Sequence, residues 1–214
     1  MIYPTPDYNP YIQQNRLMIT DKPTLKDSFR KTTLIFDGPM GTELYRNHVF
    51  TNRCFDELCL TDPALIRRIH ADYRDAGADI ITTNTFGANR LALAKFGLAE
   101  RQRDILAAGA KLARDVADES TDRPVWVAGS VGPLLTTAQL DQSQIDELII
   151  EQVDGLVEGG VDVIIFETQP SRAAMEDCVR AMNARPDVQY IVSCALLPGG
   201  ESASGEPLAR MFAP

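Results

Sequence analysis

The chain has 214 residues, 44% of them apolar and 24% charged, with 30 acidic against 21 basic side chains and a net charge of −9. That is the make-up of one sizeable folded domain. So acidic a balance argues against nucleic acid as a partner, because phosphate binding needs a basic patch.

No apolar run approaches the ~20 residues that cross a bilayer. Met1–Asn15 is polar and proline-punctuated and carries no apolar signal-peptide core. A cytoplasmic protein with no membrane partner is expected, with Cys54, Cys59, Cys178 and Cys194 as reduced thiols.

Residues 1–31 hold four prolines and little apolar periodicity. They read as a polar arm ending in a short helix around Leu25–Arg30, with the folded domain in residues 32–214. The first predicted strand is Thr33–Phe36, closing on Asp37-Gly38, and a loop follows. Asp62-Pro63 starts a helix, Asp at the cap and Pro in the first helical position. Leu65, Ile66, Ile69, Tyr73 and Ala76 form its buried stripe, and Gly77 ends it. The second strand is Asp79–Thr83. A long helical region over Asn89–Glu119, broken near Gly97, leads to the third strand, Val125–Ala128, and on into Gly129–Pro133.

Ser143 with Asp146 resembles a capping box. The helix behind it buries Ile145, Leu148, Ile149, Val153 and Leu156 and stops at Gly159-Gly160. The fourth strand, Val161–Phe166, ends at Glu167. A helix over Arg172–Asn183 precedes the fifth strand, Tyr190–Ala195. Leu196–Pro214 reads as a Gly/Ser-rich loop and the start of one more helix.

Such alternation argues for a parallel sheet, either an open doubly wound sheet or part of an eight-stranded barrel. No G-x-G-x-x-G follows a strand, and Gly38–Thr42 lacks the lysine of a phosphate-binding loop. One phrase occurs twice: Ala76–Thr85 (AGADIITTNT) reads against Gly159–Thr168 (GGVDVIIFET), 83 positions later. Each copy has a helix-stopping glycine, an apolar run buried on both faces, and a polar residue at its end. Asn84 and Glu167 therefore occupy equivalent strand ends, where parallel α/β folds place their chemistry.

Four motifs carry a resemblance over residues 33 to about 205. Asp37–Leu44 (DGPMGTEL), Ala76–Arg90 (AGADIITTNTFGANR), Val127–Pro133 (VAGSVGP) and Ile165–Thr168 (IFET) resemble, in this order, the motifs of the homocysteine S-methyltransferase family. The likeness is nearest to the amino-terminal module of cobalamin-dependent methionine synthase. It implies the amino-terminal portion, about five βα units, of a (β/α)8 TIM barrel. A whole barrel takes about 250 residues.

The family activity is transfer of a methyl group to the sulfur of homocysteine, giving methionine. The resemblance places the substrate ammonium at Asp37 and Glu167 and the carboxylate at the backbone of Gly38, Met40 and Gly41. Pro39, in the middle of that stretch, has no N–H. Thr83 and Asn84 would line the pocket, with Thr85, Gly129 and Ser130 beside it.

The family's zinc is held by three cysteines, one after the sixth strand and two after the eighth, and keeps the substrate sulfur a thiolate. The chain's own four cysteines do not fall at those places, so no metal ligand is assigned here. Cobalamin and methyl-folate would act through downstream modules; S-methylmethionine and betaine are other donors. The alternative is a non-catalytic homocysteine-binding-like fragment or an assembly module needing another chain, self-associating through open barrel edges.

The remaining candidates have ordinary readings. His70, inside a helix, and His48, in a loop, have no converging partners and read as packing or surface residues. Cys54 and Cys59 lack C-x2–4-C spacing, and Asp115–Glu119 reads as a solvated helix end.

Overall fold

The structure, a computed structural model, describes residues 22–50, 52–135 and 139–212. The predicted arm up to Asp21 lies outside the described residues. Helices α1 (Leu25–Phe29), α2 (Met40–Arg46), α3 (Leu58–Thr61) and α4 (Pro63–Asp75) precede strand β1 (Ile80–Thr82). Helix α5 (Arg90–Ala94), a 3-10 turn at Ala99–Arg101 and α6 (Gln102–Asp118) lead to β2 (Trp126–Val131). Then come α7 (Gln142–Glu158), β3 (Val163–Gln169), α8 (Arg172–Met182) and β4 (Tyr190–Cys194). A small hairpin, β5 (Leu196–Leu197) with β6 (Glu201–Ser202), and α9 (Leu208–Met211) follow.

The four main strands pair in parallel, in sequential order β1-β2-β3-β4. Side chains alternate across a strand, and the two faces of this sheet bury different partners. Ile81, Val127, Ile164 and Phe166 pack against a helical layer that includes Ala113, Val116, Val153, Leu156 and Cys178. Ile80, Trp126, Ala128 and Val163 face the other way, around Leu25 of α1. Leu25 is buried, so the carboxyl end of the predicted arm is anchored in this face. Burying one such leucine contributes about 2 kcal/mol.

The helix signals explain themselves in contacts. The Asp62 carboxylate accepts the Leu65 N–H ahead of α4, with Pro63 at its first position. Gly77 and Gly160, which end the helices before β1 and β3, have φ of 108° and 86°, where only glycine sits without strain. The break near Gly97 lies between α5 and the 3-10 turn.

Four expectations are corrected. Thr33–Phe36 is not a full strand. Phe36 makes an isolated parallel bridge with Ile80, and the Asp79 carboxylate takes the Ile35 N–H that a longer ladder would have used. The predicted loop after it contains α2 and α3. Met40 and Leu44 share one side of α2, Leu44 is buried, and Glu43 and Arg46 suit the two ends of the helix dipole. The capping box before α7 is formed by Asp141 with Gln144, two residues before the predicted start: Asp141 accepts the Gln144 N–H and Gln144 accepts the Asp141 N–H. Gln can return that bond without a second carboxylate beside the cap, which Asp146 would have supplied. The predicted Gly/Ser-rich loop carries the β5–β6 hairpin, its turn at Gly199-Gly200.

His70 is fully buried in α4 and neither ring nitrogen has a hydrogen-bond partner among the described residues. Burial pushes its pKa down to about 4, so it packs as a neutral ring.

Candidate functional site

A cleft of about 760 Å³ opens at the carboxyl ends of the strands. Its wall brings together all seven residues singled out above: Asp37, Gly38, Met40, Gly41, Thr83, Asn84 and Glu167. Asp37 stands just beyond the Phe36 bridge, its own N–H bonded to the Ile80 carbonyl. Its carboxylate accepts the Thr82 N–H at 2.9 Å. Burial lifts its pKa to about 6, against the lowering effect of Thr82, and the charge of Glu167 adds to the rise. Two carboxylates thus share one half-buried cleft. A cation arriving between them would favour the ionised form of both, with the Asp37 proton released to solvent.

Glu167 faces the cleft by the ordinary alternation of β3, on the same side as Val163 and Ile165, and an irregularity follows it. The register with β4 shifts between Phe166 and Gln169, and Thr168 lies at φ 52°, a left-handed conformation unfavourable for a β-branched residue. The Ser130 hydroxyl donates to the Glu167 carboxylate at 2.5 Å. Arg172, the nearest arginine in sequence, instead pairs with Glu176. Gly129, the neighbour of Ser130, faces the helical layer, where a Cβ would meet Leu156 and Ile164.

The Gly38–Gly41 stretch runs into α2. Pro39 is the N-cap residue and no side chain caps the helix, so its missing N–H falls outside the first-turn donors of Met40, Gly41 and Thr42. Thr83 and Asn84 also line the cleft, but their polar atoms are engaged. Asn84 donates through Nδ2 to the Phe55 carbonyl at 2.7 Å. The Thr83 hydroxyl accepts the Ser130 N–H and bonds Thr85.

Sequence reasoning missed Asp56. It is buried, lines the same cleft, and accepts the Gly87 N–H at 2.8 Å; burial raises its pKa. The only warning in the sequence is a carboxylate set between Phe55 and the apolar run of α3. Arg53, Phe86 and Phe96 also line the cleft, and all three are exposed.

The thiols do not fit the metal site that the family resemblance implies. Among the described residues, no three His, Cys, Asp or Glu side chains gather to hold a metal ion. Burial raises the pKa of Cys54 to about 11 and of Cys59 and Cys178 to about 12, the reverse of what a thiolate ligand needs. Cys178 lies behind β3 in the helical layer, and Cys194 closes β4.

A sequentially wound parallel α/β unit with two carboxylates converging at its strand ends has the form of a small-molecule site. Comparison with known proteins makes the class specific. The model of the homocysteine S-methyltransferase family matches residues 34–213, and the chain belongs to that family. Methionine synthase of Mycobacterium tuberculosis is 36% identical over 155 residues, which are 67% of this chain and 13% of that protein. Methionine synthase of Mycobacterium leprae is 33% identical over the same length. The chain thus spans about an eighth of these relatives. The homocysteine methyltransferase MmuM from Escherichia coli, in its oxidized form, superposes with a TM-score of 0.77 at 26% identity, over 87% of this chain and 70% of that one. Its metallated form gives the same TM-score at 24% identity, a likeness of fold.

Proposed function

We propose that residues 32–214 form the homocysteine-binding part of a methyltransferase domain, with residues 1–31 as an arm, and that the sheet is a portion of a (β/α)8 barrel. The sequential strand order, with the larger helices on one face, and the likeness to MmuM support the barrel reading. In this reading Glu167 and Asp37 hold the substrate ammonium. The carboxylate lies against Gly38 and the first-turn N–H groups of α2 at Met40 and Gly41. Thr83 and Asn84 shape the wall between them. The family's reaction, methyl transfer to the homocysteine sulfur, would take place above this head-group site. Zinc, a cobalamin or methyl-folate donor and cytoplasmic residence belong to the same family reading. The described thiols supply none of the zinc chemistry. The exposed Ile35, Tyr190 and Leu197 offer apolar surface for self-association.

The observation that carries the proposal is the presence of Asp37 and Glu167 in the wall of one cleft, near enough for the charge of Glu167 to act on Asp37, with Ser130 already donating to Glu167. An ammonium between two carboxylates forms charge-assisted bonds, each worth about 2 kcal/mol. Titration calorimetry with L-homocysteine in reducing buffer tests it. The unsubstituted chain is expected to bind, and E167Q to bind at least about 30-fold more weakly. E167Q binding as well as the unsubstituted chain would sink the ammonium assignment.

A further inference from the structure

β1 ends at Thr82, but its neighbour β2 runs on to Val131. In a parallel pair, alternate residues point both backbone polar groups at the same neighbouring strand. On β2 these are Trp126, whose N–H reaches Asp79, and Ala128, whose carbonyl accepts the Thr83 N–H. Ser130 is next, and at its level β1 has turned away.

Two hydroxyls replace the missing peptide groups. The Ser130 N–H donates to Thr83 Oγ1 at 2.9 Å, and the Ser130 carbonyl accepts from Thr85 Oγ1 at 2.8 Å. The two threonine oxygens lie 2.6 Å apart. The carbonyl cannot donate, so the single Thr85 proton goes to it and the Thr83 proton goes to Thr85. The result is a closed ring, Ser130 N–H to Thr83 to Thr85 to the Ser130 carbonyl, buried throughout.

We propose that Thr85 is a positioning residue: it closes this ring, fixes the backbone of Ser130, and so aims the Ser130 hydroxyl at Glu167. Thr85 is fully buried and is not among the residues of the cleft wall, so it touches no ligand there. It is held from behind by α6. A Cβ at Gly109 would come within 2.6 Å of the Thr85 γ-methyl, so a glycine in mid-helix leaves room for the methyl. Thr85 therefore has two separable parts, a hydroxyl that works in the ring and a methyl that packs on Gly109.

The assignment rests on the ammonium reading of Glu167, and one set of calorimetric titrations with L-homocysteine tests both. T85V keeps shape and removes the hydroxyl; the dissociation constant is expected to rise at least about tenfold. T85S keeps the hydroxyl and should stay within about threefold of the unsubstituted chain. In an S130A background, T85V should add less than about twofold, because its effect passes through Ser130.

G109A should weaken binding through the clash, and T85S/G109A, which lacks the clashing methyl, should restore it. This pair keeps the test available if T85V does not fold. T85V at full affinity beside a weakened E167Q would overturn the positioning role alone. So would equal losses in T85S and T85V, a full T85V loss in the S130A background, or a G109A defect that T85S leaves uncorrected. E167Q at full affinity would overturn the ammonium reading and this assignment with it.

Discussion

At the amino-terminal end of the sheet, Asp162 accepts from Lys22 at 2.9 Å, from Arg114 at 2.6 Å and from the Val127 N–H at 2.7 Å. Asp79, its equivalent in the repeated phrase, accepts from the Ile35 N–H and pairs with Arg123. At the carboxyl end, Asp37, Asp56 and Glu167 line one cleft. Among the described residues none of these three forms an ion pair. Burial alone would raise the pKa of Asp162, but Arg114 and Lys22 outweigh it and hold the group below its ordinary value. The same burial at Asp37 has no cation against it, and the pKa climbs to about 6. One end of the sheet uses its carboxylates to fasten neighbouring strands. The other leaves them short of positive charge, the condition a cationic head group would relieve.

The largest expected effect comes from breaking the fastened end. D162A removes an acceptor from Val127 and leaves Lys22 and Arg114 facing each other over a part-buried gap. Loss of one member of such a cluster costs about 2–3 kcal/mol. Urea denaturation should show a fall in unfolding free energy of that size, read as a lower midpoint, while the affinity for homocysteine stays within about twofold. A matching loss of affinity would mean that the two ends are not separable, and the comparison would fail.

A medium effect is expected at Asp37. Its folded pKa is raised, so this group's stabilising contribution is fully present below about pH 3.8 and is lost as pH rises through about 6. D37N abolishes that loss and should leave the free protein more stable at pH 7.5, by up to about 2 kcal/mol. An ammonium favours the ionised carboxylate, so homocysteine affinity of the unsubstituted chain should climb about tenfold from pH 5 to pH 7.5 and then level off. D37N should bind weakly and lose that pH dependence. A flat affinity profile in the unsubstituted chain would remove Asp37 from the cation site.

Much of this division was legible before any coordinates. The repeat pointed at Glu167 through strand-end geometry, although the aspartate present in both copies, Asp79 and Asp162, drew no reading from the sequence. Capping and glycine signals placed α4 and its end, since those depend on one or two residues. What was not legible depends on chain segments meeting across space. Asn84, the equivalent of Glu167 in the other copy, gives its amide to the Phe55 carbonyl, a partner 29 positions away. Asp56 enters the cleft only because α2 and α3 fold the loop back over the strand ends. The predicted first strand shrank to a bridge because the Asp79 side chain competes for its backbone. The two end residues of the repeat are both polar and equivalent in place, yet the Asn84 amide is engaged by the Phe55 carbonyl while the Glu167 carboxylate is open to the cleft.

The smallest effect tests that last asymmetry. Thr85 and Thr168 are also equivalent positions, but Thr85 is buried in the ring behind Ser130, while Thr168 is exposed at φ 52°. A β-branched residue held there costs about 1–2 kcal/mol. Glycine would remove that strain and give back about 0.5–1 kcal/mol through its freer unfolded chain. T168G should therefore raise stability by about 0.5–1 kcal/mol, read as a small upward shift of the denaturation midpoint. Homocysteine affinity should fall by less than about threefold, since Ser130 still holds the Glu167 carboxylate. A destabilised T168G would mean that the threonine side chain makes contacts outweighing its backbone strain. A large loss of affinity would instead place the aiming of Glu167 in the bulge rather than in the bond from Ser130.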